Sequence, residues 1–192
     1  ETSDTNFSWD NFVSRNNREL VATYGNLVHR ILTLTYMHFN GKFPCPGKME
    51  KDDHMLMDML PQSLKQAGER LEGCQFRDAL GVAMNLAQSA NRYIDFMAPW
   101  KTIKTDPTRT ATTLWICINV ISCLRTLMYP FLPFSSQNLH EQLGNQGAIQ
   151  DCGWELDTIT PGQCFPSPQP LFKKLDDSIA DHQRKQLEEQ SP

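Results

Sequence analysis

The chain has no excess of positive charge, no paired cysteines at metal-ligand spacing, no glycine-rich phosphate loop and no stretch of strand periodicity, and each absence removes a class of function. Lysine and arginine total 18 against 22 acidic residues, a formal net charge of −4. A broad, salt-driven nucleic-acid surface needs a basic face, so only a few well-placed contacts to nucleic acid remain open. None of the six cysteines (Cys45, Cys74, Cys117, Cys123, Cys152, Cys164) forms a C-x-x-C pair. Cys117 and Cys123 share one apolar stretch at a spacing poor for a local bridge. Six reduced thiols in an intracellular, cytoplasmic protein are therefore expected. Asp52-Asp53-His54 has no second histidine–carboxylate cluster to complete a metal site, and reads as charge gathered at a helix start. No signal peptide is visible, and the run from Ile31 to Met37 is too short to cross a bilayer, so no membrane partner is expected. The chain begins at Glu1 rather than methionine, from which an excised fragment is expected.

What is present is helical periodicity. Ser8 and Asp10 open a helix expected to reach about Phe39, where Asn40-Gly41 stops it. Its stripe is Leu20, Tyr24, Leu27, Ile31, Leu34 and His38, and Val13, Leu20, Leu27 and Leu34 repeat every heptad as one long seam. A second helix carries Leu56, Leu60, Leu64, Ala67 and Leu71 to Gly73, with Pro61 expected to kink or divide it. A third runs from about Gln75 to Met97, with Phe76, Leu80, Ala83, Ala87, Ala90 and Ile94 on one side. Asp106-Pro107 marks the start of a fourth, which Pro130 closes, and Ser135 or Ser136 is expected to cap a fifth ending at Leu143-Gly144. Glycine and proline then cluster through Pro170 around isolated anchors at Trp154 and Leu156. Leu175, Ile179 and Leu187 mark a polar terminal helix. The fold expected is all-α, a bundle of about five helices over residues 1–144, with a loop and C-terminal helix over 145–192 packed on it.

One segment stands out chemically. Ala90-Asn-Arg-Tyr-Ile-Asp-Phe-Met-Ala-Pro-Trp-Lys101 ends a helix at a proline and presents Trp100 at a rigid corner. Pro99 biases Ala98 toward an extended backbone, which aims the ring. Such a ring suits stacking on an unpaired base, with Lys101 beside it for a phosphate; equally, it suits plugging the bundle. Asn26 and Arg30 stand one helical turn apart beside the Leu27–Ile31 seam, and both present planar, multi-donor groups suited to base edges; a solvated surface pair is the plain alternative.

Gly25-Asn-Leu-Val-His-Arg30 and Ala98-Pro-Trp100 resemble two anticodon-facing segments of the methionyl-tRNA synthetases. Phe7-Ser-Trp-Asp-Asn-Phe-Val13 with Glu19-Leu20, Cys74-x-Phe-Arg-x-Ala79 with Asn91-Arg-Tyr93, Leu124-x-x-Leu-x-x-Pro-Phe-Leu-Pro133 with Glu141-Gln-Leu-Gly144, and Pro170-Leu-Phe-x-Lys-Leu-Asp176 extend the likeness over most of the chain. The resemblance implies an anticodon-binding domain that recognises the CAU anticodon of methionine tRNAs. Trp100 would stack on a base, Asn26 and Arg30 would read base edges, and Pro99 would fix the corner. Asn91 and Arg92 would support the site from their helix, with Arg92 also within reach of a phosphate. Phe96 and Met97 depart from the bacterial pattern Asp-Glu-Gln-Ala-Pro-Trp, which implies different packing below the tryptophan. The His-Ile-Gly-His-like and Lys-Met-Ser-Lys-Ser-like segments of the family's catalytic domain are absent from these residues. No cofactor is therefore expected in this chain, and ATP and magnesium belong to the parent enzyme, whose catalytic domain is the expected intramolecular partner. Rival readings are the equivalent domain of another class I synthetase, or a helical protein-interaction module anchored by Trp100.

Overall fold

The computed structural model describes residues 7–157 and 159–190, the last four by backbone alone. A single helical run opens at Ser8, whose hydroxyl accepts the Asn11 amide at 3.2 Å. It passes through α1 (Trp9–Arg15), a π-helical stretch (Asn16–Gly25) and α2 (Asn26–His38). Asn40 and Gly41 end it with positive φ, in keeping with the stop signal of an Asn-Gly pair. The expected heptad seam does not persist along it. Tyr24, Leu27, Val28, Ile31, Leu32 and Thr35 are buried, whereas Leu20 and Leu34 are half-buried and His38 is exposed. A π turn closes to the fifth residue back and so advances less angle per residue than an α turn. The stretch therefore shifts the phase between Val13 and α2, which no heptad count anticipates.

The rest of the bundle is α3 (Lys51–Glu72), α4 (Phe76–Met97), the single turn α5 (Pro99–Thr102), α6 (Pro107–Met128) and α7 (Pro133–Gln142). A 3-10 turn (Ile149–Cys152) and α8 (Ser178–Gln190) follow. Helix α3 is not divided at Pro61, which stands on its exposed side. Phe76, placed on the apolar side of α4 by its spacing, is 52% exposed because it stands in the first turn, ahead of the buried positions Ala79 and Ala83.

Helix α6 is the centre of the core. It packs on α2, α3, α4, α5 and α7, and from Thr110 to Met128 every residue but Trp115 is buried. With 22 residues and a mean hydropathy of 1.4, it is long and apolar enough to cross a bilayer, a longer apolar segment than the Ile31–Met37 run; 94% of its apolar window is buried among the other helices. Its buried hydroxyls return to their own helix, Thr112 to the Thr108 carbonyl at 2.9 Å and Thr113 to the Arg109 carbonyl at 3.0 Å. Asp106 caps α6 by accepting the Arg109 amide at 2.9 Å, with Pro107 at the first helical position. Helix α7 begins three or four residues earlier than expected. Leu132 and Pro133 start it, and Ser136 lies inside it as a buried residue rather than a cap.

Among the described residues there is no strand, only an isolated antiparallel bridge between Lys42 and Cys164. There the loop after α2 meets the long loop after α7, and Phe165 stacks on Phe43 with ring centres 4.7 Å apart. Trp154 anchors that long loop by donating its indole N–H to the Leu64 carbonyl at 3.0 Å, while Leu156 is 38% exposed and anchors little. Arg125, fully buried, ties α6 to the same loop through Asp157 at 2.5 Å and meets His140 Nδ1 of α7 at 2.9 Å. The contact requires Nδ1 to accept, which leaves Nε2–H to donate to the Gln146 carbonyl at 3.2 Å. Helix α8 returns to α1, and Arg184 bridges Asp10 and Asp181. The terminal helix starts at Ser178, later than its expected start at Leu175, which is half-buried in the segment ahead of it; Ile179 is half-buried within α8, and the side chain of Leu187 lies outside the described residues.

Candidate nucleic-acid interface

Trp100 and Arg30, 70 positions apart in sequence, meet at the surface between α2 and the α4–α5 corner. The Arg30 guanidinium carbon lies 5.1 Å from the centre of the Trp100 ring. Trp100 is 40% exposed, so one part of the ring rests on the protein and another is open to solvent. An indole paired with a cation and left partly open to solvent can serve as a stacking platform. It does not plug the bundle; Pro99 beneath it is buried. Arg30 is positioned in turn by Asp95, which accepts from Nη2 at 2.9 Å across the 30% and 60% exposed side chains of the pair. An ion pair this exposed contributes little stability, and its main effect is on where the guanidinium points.

Asn26, one turn earlier on α2, is exposed and stands on the same side as Arg30. Asn26, Arg30, Asn91, Arg92 and Asp95 line a shallow depression of about 460 Å³. Arg92 is exposed and donates to Ser89 Oγ at 2.9 Å. Asn91 is half-buried and spends its amide N–H groups on the Thr23 and Ala87 carbonyls, both at 3.0 Å. Lys101 follows the ring as an exposed cation on α5.

The corner is built differently from its sequence expectation. Ala98 is left-handed, with φ 43° and ψ 57°, not extended. Its amide still closes α4 onto the Ile94 carbonyl at 2.9 Å while its carbonyl accepts from Lys101 at 2.8 Å, so one residue ends α4 and starts α5. Only a left-handed residue reverses the chain that abruptly, at a cost of about 1–2 kcal/mol for a residue with a Cβ. Two clamps offset it. Thr102 and Thr110 share a hydroxyl hydrogen bond of 2.8 Å, which ties α5 to α6. On the other side, Arg109 reaches the Met97 sulfur at 3.4 Å.

Arg109 belongs to a network that composition and spacing did not assemble. It grips Asp53 with both terminal nitrogens, at 2.6 and 2.5 Å, and Tyr93 donates to the same carboxylate at 2.6 Å. The Glu50 amide adds a fourth bond at 2.8 Å, which makes Asp53 the reciprocal partner in the cap of α3. Burial alone would raise the Asp53 pKa, but the Arg109, Glu50 and Tyr93 bonds outweigh it and hold the pKa down to about 2. Burial together with that bond to Asp53 pushes the Tyr93 hydroxyl well above its ordinary range. Asp53 is charge at a helix start, as its place in the sequence implies, but its reach to α4 and α6 has no local signal. Asp95 has none either, although it stands one turn after Asn91 on the same helix. Among the described residues no cluster of histidine, cysteine and carboxylate is placed to hold a metal.

Residues 43–191 match the anticodon binding domain of methionyl tRNA ligase, and residues 1–32 match the class I tRNA synthetases of the methionine type. Two similar relatives are methionine–tRNA ligases. That of Roseiflexus sp. (strain RS-1) is 42% identical over 205 residues, covering 93% of this chain and 34% of the relative. That of Dehalococcoides mccartyi (strain ATCC BAA-2266 / KCTC 15142 / 195) is 44% identical over 183 residues, covering 95% and 33%. The chain spans about a third of the length of the curated relatives it matches. The fold is similar to part of Mycobacterium tuberculosis methionyl-tRNA synthetase in its free state, with a TM-score of 0.82 at 24% identity over 88% of this chain and 35% of that one. The same enzyme bound by methionyl-adenylate superposes at 0.81 with 25% identity, over 87% and 34%.

Proposed function

The chain belongs to the methionyl-tRNA ligase anticodon-binding family, and from that premise we propose that it recognises the CAU anticodon of methionine tRNAs. The observation that carries the reading is the assembly of Arg30, Asp95 and Trp100 at one exposed edge, with Asn26 one turn away. An unpaired anticodon base would stack on the open part of the indole. Asn26 would pair with a base edge through its amide. Arg30 keeps free N–H donors because Asp95 engages only Nη2, so it can read an edge without giving up that partner. Lys101 and Arg92 would meet phosphates, which position the loop without reading its sequence. With a net charge of −4, affinity has to come from stacking and edge contacts rather than from the field of the whole chain.

The wider role is to deliver the right tRNA to a catalytic domain that activates methionine with ATP and magnesium in the cytoplasm; this chain supplies the recognition and not the chemistry. The test is a panel of anticodon stem-loops with single base changes, bound to the wild type and to Asn26→Ala, Arg30→Ala and Lys101→Ala at two salt concentrations. Asn26→Ala and Arg30→Ala should each weaken CAU by about 1–3 kcal/mol and substituted loops by less. Lys101→Ala should weaken every loop alike and flatten the salt dependence. A ranking of anticodons that is the same in all three variants would remove Asn26 and Arg30 as readers.

A further inference from the structure

Ten residues of the first helical run, Asn16–Gly25, are wound as π rather than α, and two elements distant in sequence hold them so. The Asn26 amide closes the last π turn on the Val21 carbonyl, and the Thr23 hydroxyl donates to the Arg18 carbonyl, also five back, at 2.9 Å. Asn91 of α4 supplies the Thr23 carbonyl with a donor at 3.0 Å. The segment from Pro170 to Asp176 crosses the same stretch. The Asn17 side chain accepts from the Leu175 amide and donates to the Leu175 carbonyl, both at 2.9 Å, as a neighbouring strand would. Phe172 lies 5.7 Å, ring centre to ring centre, from Tyr24. It sits so close over Gly25 that a Cβ there would come within 2.9 Å of its Cδ2. Pro170, Leu171 and Phe172 then share a depression with Asn26 and His29.

We propose that this π stretch is a register device for the recognition face: clamped by Asn91 and by the Pro170–Asp176 strap, it sets the angle at which Asn26 faces the anticodon, and Asn17, Asn91 and Phe172 are its positioning residues. The proposal rests on the reading of the face as an anticodon site. An extra residue in a helical turn that relaxes to α swings the adjoining turn by about 100°. The core resists such a swing unevenly. Leu27, Val28, Ile31 and Leu32 are fully buried, so the body of α2 stays in place. Asn26 is exposed, and its own amide makes the final π bond, so the change falls on Asn26 at the junction, just ahead of the fixed Leu27. Loosening the strap therefore degrades the Asn26 contact more than the Arg30 contact. π turns kept within α-helices often mark such functional geometry because they are strained without support.

The experiment compares Phe172→Ala, Phe172→Leu, Asn17→Ala and, as a control destabilised elsewhere, Trp154→Leu, whose ring covers Gly68 on α3. Amide hydrogen exchange along the first helical run and the ratio of CAU to single-change stem-loop affinities are measured on each. Phe172→Ala and Asn17→Ala should lose protection at Tyr24–Asn26 by about ten-fold while Ile31–Thr35 keep theirs. The CAU preference at the base read by Asn26 should fall by about ten-fold. Phe172→Leu, which keeps an apolar cover, should restore most of both, and Trp154→Leu should lower the melting temperature without altering either. Unchanged protection at Tyr24–Asn26 in both strap variants, or equal loss of discrimination in Trp154→Leu, overturns the proposal. If the wild type itself shows no CAU preference, the anticodon reading fails, and the exchange arm still decides whether the strap clamps the π stretch.

Discussion

Asn in place of Asp53 removes one charge and leaves the side-chain shape, which makes Asp53→Asn a direct test of what holds the corner under Trp100. The wild-type carboxylate titrates at about 2 against an ordinary value of 3.8. A pKa lowered by folding means stability that is complete above the unfolded value and is lost as pH falls from about 4 through about 2. The shift corresponds to about 2 kcal/mol of stability at neutral pH. Asp53→Asn forfeits that and leaves the Arg109 guanidinium, 17% exposed, beside a neutral amide. Breaking a buried pair costs about 3–5 kcal/mol, and the partial exposure of Arg109 points to the lower end, about 3 kcal/mol. For a chain of this length that is about 6–12 °C in melting temperature. Urea denaturation at pH 7, 4 and 2.5 measures both effects. The variant should be weaker at pH 7, and the gap to wild type should narrow as the pH falls below 4. A gap that stays constant down to pH 2.5 would refute the ionised network, and an unchanged midpoint at pH 7 would refute its contribution to the fold.

Trp100→Ala should weaken stem-loop binding by about 1–3 kcal/mol, the loss of a base–aromatic stack, with little change in urea midpoint. Trp115→Ala, on the half-buried side of α6, should do the reverse. Gly144→Ala should cost about 2 kcal/mol or more, since φ is +79° and a Cβ would meet the Cys164 carbonyl oxygen at 2.5 Å. Gly147→Ala, with φ +80° but open space around it, should cost about 1 kcal/mol, and equal losses at the two positions would dismiss the clash. Purified chain should show no methionine-dependent ATP–pyrophosphate exchange; robust exchange would mean that these residues hold a catalytic site of their own.

The helices and most of their ends were legible from residue order alone, because those depend on neighbours along the chain. Ser8, Asp106-Pro107, Gly73 and Asn40-Gly41 act within one turn of their own backbone, and each stands where its local chemistry put it. The apolar spacing of Ala83, Ala87, Ala90 and Ile94 likewise required only the period of α4. The members of the candidate interface were also legible, since Asn26, Arg30, Pro99, Trp100 and Lys101 lie in two short segments. Their arrangement came from packing between distant segments. Asp95 aims Arg30 at the Trp100 ring across 65 positions of chain, and Ala98 accepts a left-handed backbone because Thr110 and Arg109 of α6 hold both sides of the turn. Helical period gave no warning of the π stretch, because its wide turns persist through Asn91 and Phe172, partners that arrive from far along the chain. Local interactions are readable from adjacent residues, whereas strained geometry is stabilised by distant ones and exists only once the bundle has closed.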